Sequence, residues 1–422
     1  MSRRRLIISK KTRTKILNRF LISLGIILFI RMGSFLPVPG INHTDLIRYV
    51  QMNPSAKNFI NAFISEENLV ISLFTLNIFP YVNATIIIQL LSSFSPSIAK
   101  LQKENDLTSR RSLNRLIRII TLVWSIVQSF GLGFYLKQIL FNWSLVLVFQ
   151  IVLWLTTGAM IILWLSELIT DYGLGNGASL LISVNILTSF PTFYKTLTLE
   201  VNENFNFFSI SLVFILICLT FAGIILLQEG VRHIPLISAR QLGLNMRLQE
   251  SRFLRSYIPI KLNQAGVMPV ILTSAVLVLP NYLINLGILP EINFGGLEIL
   301  SKIIYWISYF VLVLTFSSFY AIIVLNPYDM SEQLQKAAVA IPGIRPGPQT
   351  TFYLKRSMQR LTFMGAGALA ILASVPNLIQ AILKISNVNG LSTTSLIILA
   401  GVLIEVSREI EEIIYSNIYN NI

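Results

Sequence analysis

The chain has 422 residues, is 54% hydrophobic and is only 12% charged, about half the roughly 25% of an ordinary soluble domain. Mean hydropathy is +0.69, and apolar runs of about 20 residues recur along the whole length, which excludes a soluble globular class and defines a polytopic helical membrane protein. The formal charge is +14, and the single cysteine, Cys218, excludes an intrachain disulfide.

Ten spans are expected in chain order: Leu17–Leu36, Leu73–Phe94, Leu116–Leu136, Leu145–Ile169, Ala178–Tyr194, Ser209–Gln228, Ala265–Leu286, Ile303–Leu325, Leu361–Leu383 and Thr394–Ile414. The first follows a basic N-terminus but ends in Pro37 and Pro39 without a small-residue cleavage site, so it reads as a retained span. Asn58–Ile71 is half apolar and too short to cross. Alone it reads as a re-entrant segment, an interfacial helix or, more simply, a surface loop. Gly173, Gly175 and Gly177 resemble a phosphate loop only superficially. No strand precedes them and no Lys-Ser/Thr follows, so they read as a tight turn between two helices.

Lys and Arg alternate between loops. Twenty-six fall on the side of the N-terminus and of the loops after the second, sixth and eighth spans; six fall on the other, and Arg31 lies inside the first span. This asymmetry puts both termini and the long basic loops, 229–261 and 326–360, on the cytosolic or equivalent side. The positive face suits anionic lipids, or a large acidic partner such as RNA.

Within the second basic loop, Ile341–Pro342–Gly343–Ile344–Arg345–Pro346–Gly347 is the most distinctive stretch. Pro342 and Pro346 fix φ, and Gly343 and Gly347 permit left-handed bends. Such a loop holds one arginine, Arg345, in a set direction, which a merely orienting basic loop has no use for.

Catalytic chemistry is not visible. His43 and His233 have no Cys, Asp or Glu at metal spacing, so neither metal nor other cofactor is expected. Arg31, Glu167 and Glu405 lie near span ends, and no mid-membrane acid–base series of the kind a proton-coupled transporter needs is present. A ten-span solute transporter, the rival reading, requires a polar midplane site that the sequence lacks. A purely structural membrane scaffold is a third reading.

Several long motifs then converge. RMGSFLPVPGIN at Arg31–Asn42, IFPYVNATIIIQLL at Ile78–Leu91, GLGNGAS at Gly173–Ser179, LNQAGVMP at Leu262–Pro269 and the IPGIRPG core within Asn326–Thr350 occur in the order found in SecY proteins. The chain resembles that family of protein-conducting channels over nearly its whole length. The resemblance implies an all-α integral membrane protein of ten transmembrane helices, arranged as two inverted five-helix halves around a central pore. Here the halves would be residues 1–195 and 205–422.

It further implies a pore ring of Ile78, Val82, Ile182, Ile186, Ile271 and Ile398. The first two pairs have i,i+4 spacing and so share a helix face, although aliphatic pairs at that spacing are ordinarily core or lipid-facing. Asn58–Ile71 becomes the plug, with Asn58, Phe63, Glu66 and Glu67, and departs from common bacterial forms in lacking a glycine pair. The second, third, seventh and eighth spans would form a lateral gate, with Gln89 and Gln128 as polar gate residues or, equally, as ordinary interhelical bonding groups. Arg345, Arg240, Arg247 and Arg252 would dock a ribosome or the SecA motor. SecE, a small SecG-like subunit, preprotein substrates and membrane lipids are the other implied partners. Transport energy would come from SecA or translation rather than from this chain. Ile and Asn richness suggests an algal plastid and its thylakoid membrane, with termini in the stroma; a bacterial inner membrane is the alternative.

Overall fold

The computed structural model describes residues 10–41, 47–48, 71–95, 98, 101, 107–135, 144–188, 191, 207–238, 257–263, 266, 269, 273, 276, 298–324, 326–383 and 393–419. Helices α1 (Lys10–Gly33), α2 (Phe79–Phe94), α3 (Leu107–Tyr135), α4 (Leu145–Tyr172), α5 (Gly177–Thr188), α6 (Phe207–Glu229), α7 (Glu298–Val324), α9 (Pro348–Leu383) and α10 (Thr393–Tyr419) correspond to nine of the expected spans. The seventh, 265–286, lies outside the described residues except at isolated positions. Among the described residues, Thr12–Gly33, Thr108–Phe134 and Leu145–Tyr172 are long and apolar enough to cross a membrane by length and composition.

Several boundaries differ from expectation. The second span was expected from Leu73, but α2 starts at Phe79 with a proline in its first turn. Pro80 lacks an N–H and is accommodated only there. The preceding residues form turns instead. Ser72 N–H donates to Thr75 Oγ1 at 2.7 Å, and Thr75 Oγ1 donates to the Ser72 carbonyl at 2.8 Å. The ninth span was expected from Leu361, but α9 begins at Pro348, because its polar first turns escape a hydropathy reading. Helix α8 (Pro327–Lys336) was not expected. Its N-terminus is capped by Asn326, whose side chain accepts from Tyr328 N–H.

Contacts group the chain into two compact units, residues 1–199, 389–391 and 402–422, and residues 200–388 and 392–401. In the first, α4 packs against α1, α3 and α5, and α3 packs against α2. Ile151, Leu155, Ile162 and Ile169 form the fully buried stripe of α4. Its other side exposes Leu145, Val146, Phe149, Leu153, Trp154 and Trp164, an apolar surface suited to lipid. The buried face of α3 carries Thr121, Ser125 and Ser129. Each donates to a carbonyl of its own helix at 2.7–2.8 Å, so small, self-satisfied side chains line the approach of its neighbours. Arg118 binds both oxygens of Glu167 across α3 and α4, at 2.9 and 2.7 Å.

The α4–α5 turn is tied down from two sides. Ser23 Oγ on α1 accepts from Leu174 N–H at 2.9 Å and donates to the Arg19 carbonyl at 3.1 Å. Glu409 of α10 accepts from Arg19 Nη1 at 3.1 Å through one oxygen and from Gly175 N–H through the other.

In the second unit α9 packs against α6, α7 and α8. Strands β1 (Val231–Pro235) and β3 (Tyr257–Lys261) pair antiparallel from Val231↔Lys261 to Pro235↔Tyr257. The short β2 (Ile237–Ser238) pairs with β4 (Val339–Ala340), joining the two basic loops. Beneath them Ile234, Ile260, Ile341, Leu354, Met358 and Leu361 form one buried cluster, flanked by Met330, Leu334 and Ile344. The loops are therefore a small packed platform with a core of its own. Ile341→Ala removes a side chain only 4% exposed. It is expected to cost about 2–5 kcal/mol locally and to speed amide exchange across 341–347 by at least about tenfold; unchanged exchange there would show that the cluster does not hold the loop.

Candidate functional site

The IPGIRPG loop leaves β4 and runs into α9. Gly343 and Gly347 have φ of 78° and 107°, the left-handed values their sequence positions suggested. The loop is anchored around Arg345. Thr350 Oγ1 donates to the Arg345 carbonyl at 2.9 Å, Ser331 Oγ of α8 donates to the Gly347 carbonyl at 3.1 Å, and Ile344 N–H donates to the Ile341 carbonyl at 3.1 Å. Ile341 is buried and Ile344 half-buried on the same cluster, while the Arg345 side chain is exposed. The backbone is thus fixed and the guanidinium presented to solvent. Arg240, Arg247 and Arg252 lie outside the described residues.

Of the pore-ring candidates, Ile78 and Val82 are buried, and Ile182, Ile186 and Ile398 are half-buried. Ile78 is the N-cap of α2. Asn77 before it has a φ of 50°, and its Oδ1 accepts from Ile78 N–H at 2.8 Å, which fixes where the helix begins. Ile182 lies at the middle of α5 and Ile186 in its last turn. Ile271 and the plug candidates Asn58, Phe63, Glu66 and Glu67 lie outside the described residues. Gln89 and Gln128 are both half-buried on α2 and α3. The Gln128 Oε1 is buried without a hydrogen-bond partner among the described residues, so the simple interhelical bond is not made by that atom. His233 stacks edge-on against Tyr257 across the hairpin, with ring centroids 4.3 Å apart.

Two groups escaped the sequence reading. Arg31 had been placed only near a span end. It donates through Nη2 to the Val184 carbonyl, Asn185 Oδ1 and Thr188 Oγ1 at 2.9, 3.3 and 3.1 Å, joining α1 to the last turn of α5. Glu409, inside the expected tenth span Thr394–Ile414, drew no attention. Nothing local in the sequence signals either contact, because the partners are separated by more than 150 residues.

The architecture is that of an all-α channel. The chain is similar to the solved structure titled "The structure of a protein conducting channel", with a TM-score of 0.61, 19% identity, and coverage of 93% of this chain and 92% of that one. It is also similar to Sec61 in a canine ribosome-channel complex, at a TM-score of 0.57 over 93% and 92% of the two chains with 19% identity. The SecY family profile matches residues 72–407. The protein translocase subunit SecY of Trieres chinensis is 54% identical over 96% of this chain and 97% of its own length; that of Synechocystis sp. is 39% identical over 95% and 93%. The chain belongs to the SecY family. It is a subunit of a protein-conducting channel, and its task is protein translocation. Its relatives are channel subunits rather than enzymes.

Proposed function

We propose that the chain works as a passive conduit for unfolded preproteins, sealed by an aliphatic ring and driven from outside through Arg345. The observation that carries this reading is the arginine loop: a fixed backbone on a packed basic platform, presenting one exposed guanidinium. Such a platform has the chemistry to receive SecA or ribosomal RNA, charged groups whose affinity Arg geometry serves well. Energy would come from that partner. SecE and a SecG-like subunit would complete the channel, with Gln89 and Gln128 at a gate through which apolar segments pass into lipid. The two halves, 1–195 and 205–422, would be inverted repeats, with the plug at 58–71.

Ile78, Val82, Ile182, Ile186, Ile271 and Ile398 would form the constriction. A narrow aliphatic ring disfavours ions by dewetting, and its side chains can part around a polypeptide without binding it. Placing asparagine at Ile78 and at Ile186 supplies polar groups that hold water in the ring. The expected result is a rise of at least about tenfold in resting ion conductance of the reconstituted channel; wild-type conductance in a folded double variant would sink the ring. The thylakoid membrane of a plastid, with the platform in the stroma, is the proposed location. Similarity to algal and cyanobacterial SecY proteins supports either that site or a bacterial inner membrane.

A further inference from the structure

The first helix touches both helix ends that carry Ile78, Val82, Ile182 and Ile186, and it does so by two separate devices. On the α2 side the link is backbone. The exit of α1 pairs with the segment leading to Ile78: Val38 N–H donates to the Ile71 carbonyl at 3.0 Å, Leu73 N–H donates to the Leu36 carbonyl at 3.1 Å, and Pro37 bridges Ser72. Val38 and Ile71 are both buried. On the α5 side the link is the Arg31 guanidinium, with its three acceptors on the helix's last turn. No carboxylate is among these partners. The charge is instead met by a carbonyl, an amide and a hydroxyl at a helix C-terminus, where the aligned peptide dipoles favour a cation. Between the two links lies a cavity of about 20 Å³, bordered by Arg31, Phe74, Asn77, Val184 and Asn185, so the devices meet at one junction.

A cation at this depth is costly to bury and is kept only where it is well partnered. An ordinary helix contact would be met by an apolar residue. We propose that Arg31 is a positioning residue for the closed channel: it clasps the end of α5 to α1, while the segment leaving α1 holds the start of α2, so that α1 sets the spacing of the two aliphatic pairs. This role rests on the pore-ring reading above. Losing the clasp frees the C-terminal turn of α5, on which Ile186 sits, and loosens the seal without touching the ring itself.

The test uses the full-length chain purified with its native partner subunits and reconstituted in bilayers with no translocating substrate. Arg31→Met keeps the stem length and removes the donors. Resting conductance per channel should rise at least about threefold. Arg31→Lys, which retains a cation able to reach the same carbonyl end, should bring it back to within about twofold of wild type. If Arg31→Met does not fold, the Asn185→Leu/Thr188→Val pair removes two acceptors and leaves the arginine in place, with a smaller rise expected. Conductance per channel that stays at the wild-type level in a folded variant of either kind, whatever happens to yield or melting temperature, overturns the clasp. Ile186→Asn run alongside separates the causes. A leak from Ile186→Asn without one from Arg31→Met leaves the ring standing and removes Arg31; no leak from either removes the ring and the clasp with it.

Discussion

Replacing Arg345 by glutamate is expected to lower partner-driven preprotein transport at least about thirtyfold, with the quantity of folded channel and its resting conductance unchanged. The expectation follows from how little of the loop depends on that side chain. Its backbone is set by two left-handed glycines, by Thr350 and Ser331, and by Ile341 in the buried cluster. The guanidinium contributes to none of these bonds. Reversal therefore leaves the platform intact and acts on whatever the arginine meets. Central arginine anchors in interfaces typically cost about 2–4 kcal/mol on truncation, roughly 30- to 1000-fold in affinity, and a reversed charge adds repulsion toward an acidic partner. Arg345→Lys, which keeps the charge but loses the planar fork, should fall between. Transport by Arg345→Glu within twofold of wild type, measured in vesicles with saturating SecA or with translating ribosomes, would remove the loop from the coupling step.

Gly158→Val is expected to abolish the first unit altogether. Gly158 lies mid-way along α4, and a methyl group there would overlap the carbonyl oxygen and carbon of Leu73. Neither side can retreat. Leu73 N–H is held by the Leu36 carbonyl, the Ser72–Thr75 turn is closed by its own hydrogen bonds, and α4 is fixed by a fully buried isoleucine and leucine stripe. Overpacking against side chains costs about 1–3 kcal/mol. Against immovable backbone the loss should exceed about 3 kcal/mol, enough to unfold a marginally stable domain. The comparison is Gly367→Ala on α9, where an added methyl meets nothing within 4 Å; that change should be neutral or mildly stabilising, since alanine has the lower helical entropy cost. A Gly158→Val channel that melts like wild type in mild detergent would contradict the close approach.

The fold was legible in the sequence wherever apolar length alone decides. Leu145–Ile169 became α4 almost to the residue because nothing in it competes with a helix. Legibility failed at the ends. Pro80 reset the start of α2, and Pro348 opened α9 well before its apolar part, because helix starts are decided by backbone donors that hydropathy does not weigh. The platform was legible only in outline. IPGIRPG showed its glycine bends, but the five-residue segments VRHIP and YIPIK, each containing a proline, are too short to signal strands against a background of apolar helices. Arg31 was visible as a cation near a span end, while its acceptors on α5 became evident only in three dimensions. Ile182 and Ile186 could have faced lipid, neighbours or a pore on spacing alone, since an i,i+4 aliphatic pair looks the same in each setting.

The tie between Glu409 and the α4–α5 turn imposes an order on the making of this protein. Residues 402–422 group with residues 1–199, so the first unit is assembled from segments synthesised far apart in time. Gly175 and Glu409 lie 234 residues apart, so at roughly 5–20 residues per second the wait between them is about 12–47 s. Through that interval Arg19 and the Gly175 N–H lack their carboxylate, and of the two ties described above the turn has Ser23's alone. The newborn channel therefore passes through a stage in which its first helices are in place but unlatched, and α10, made much later, acts as the bolt.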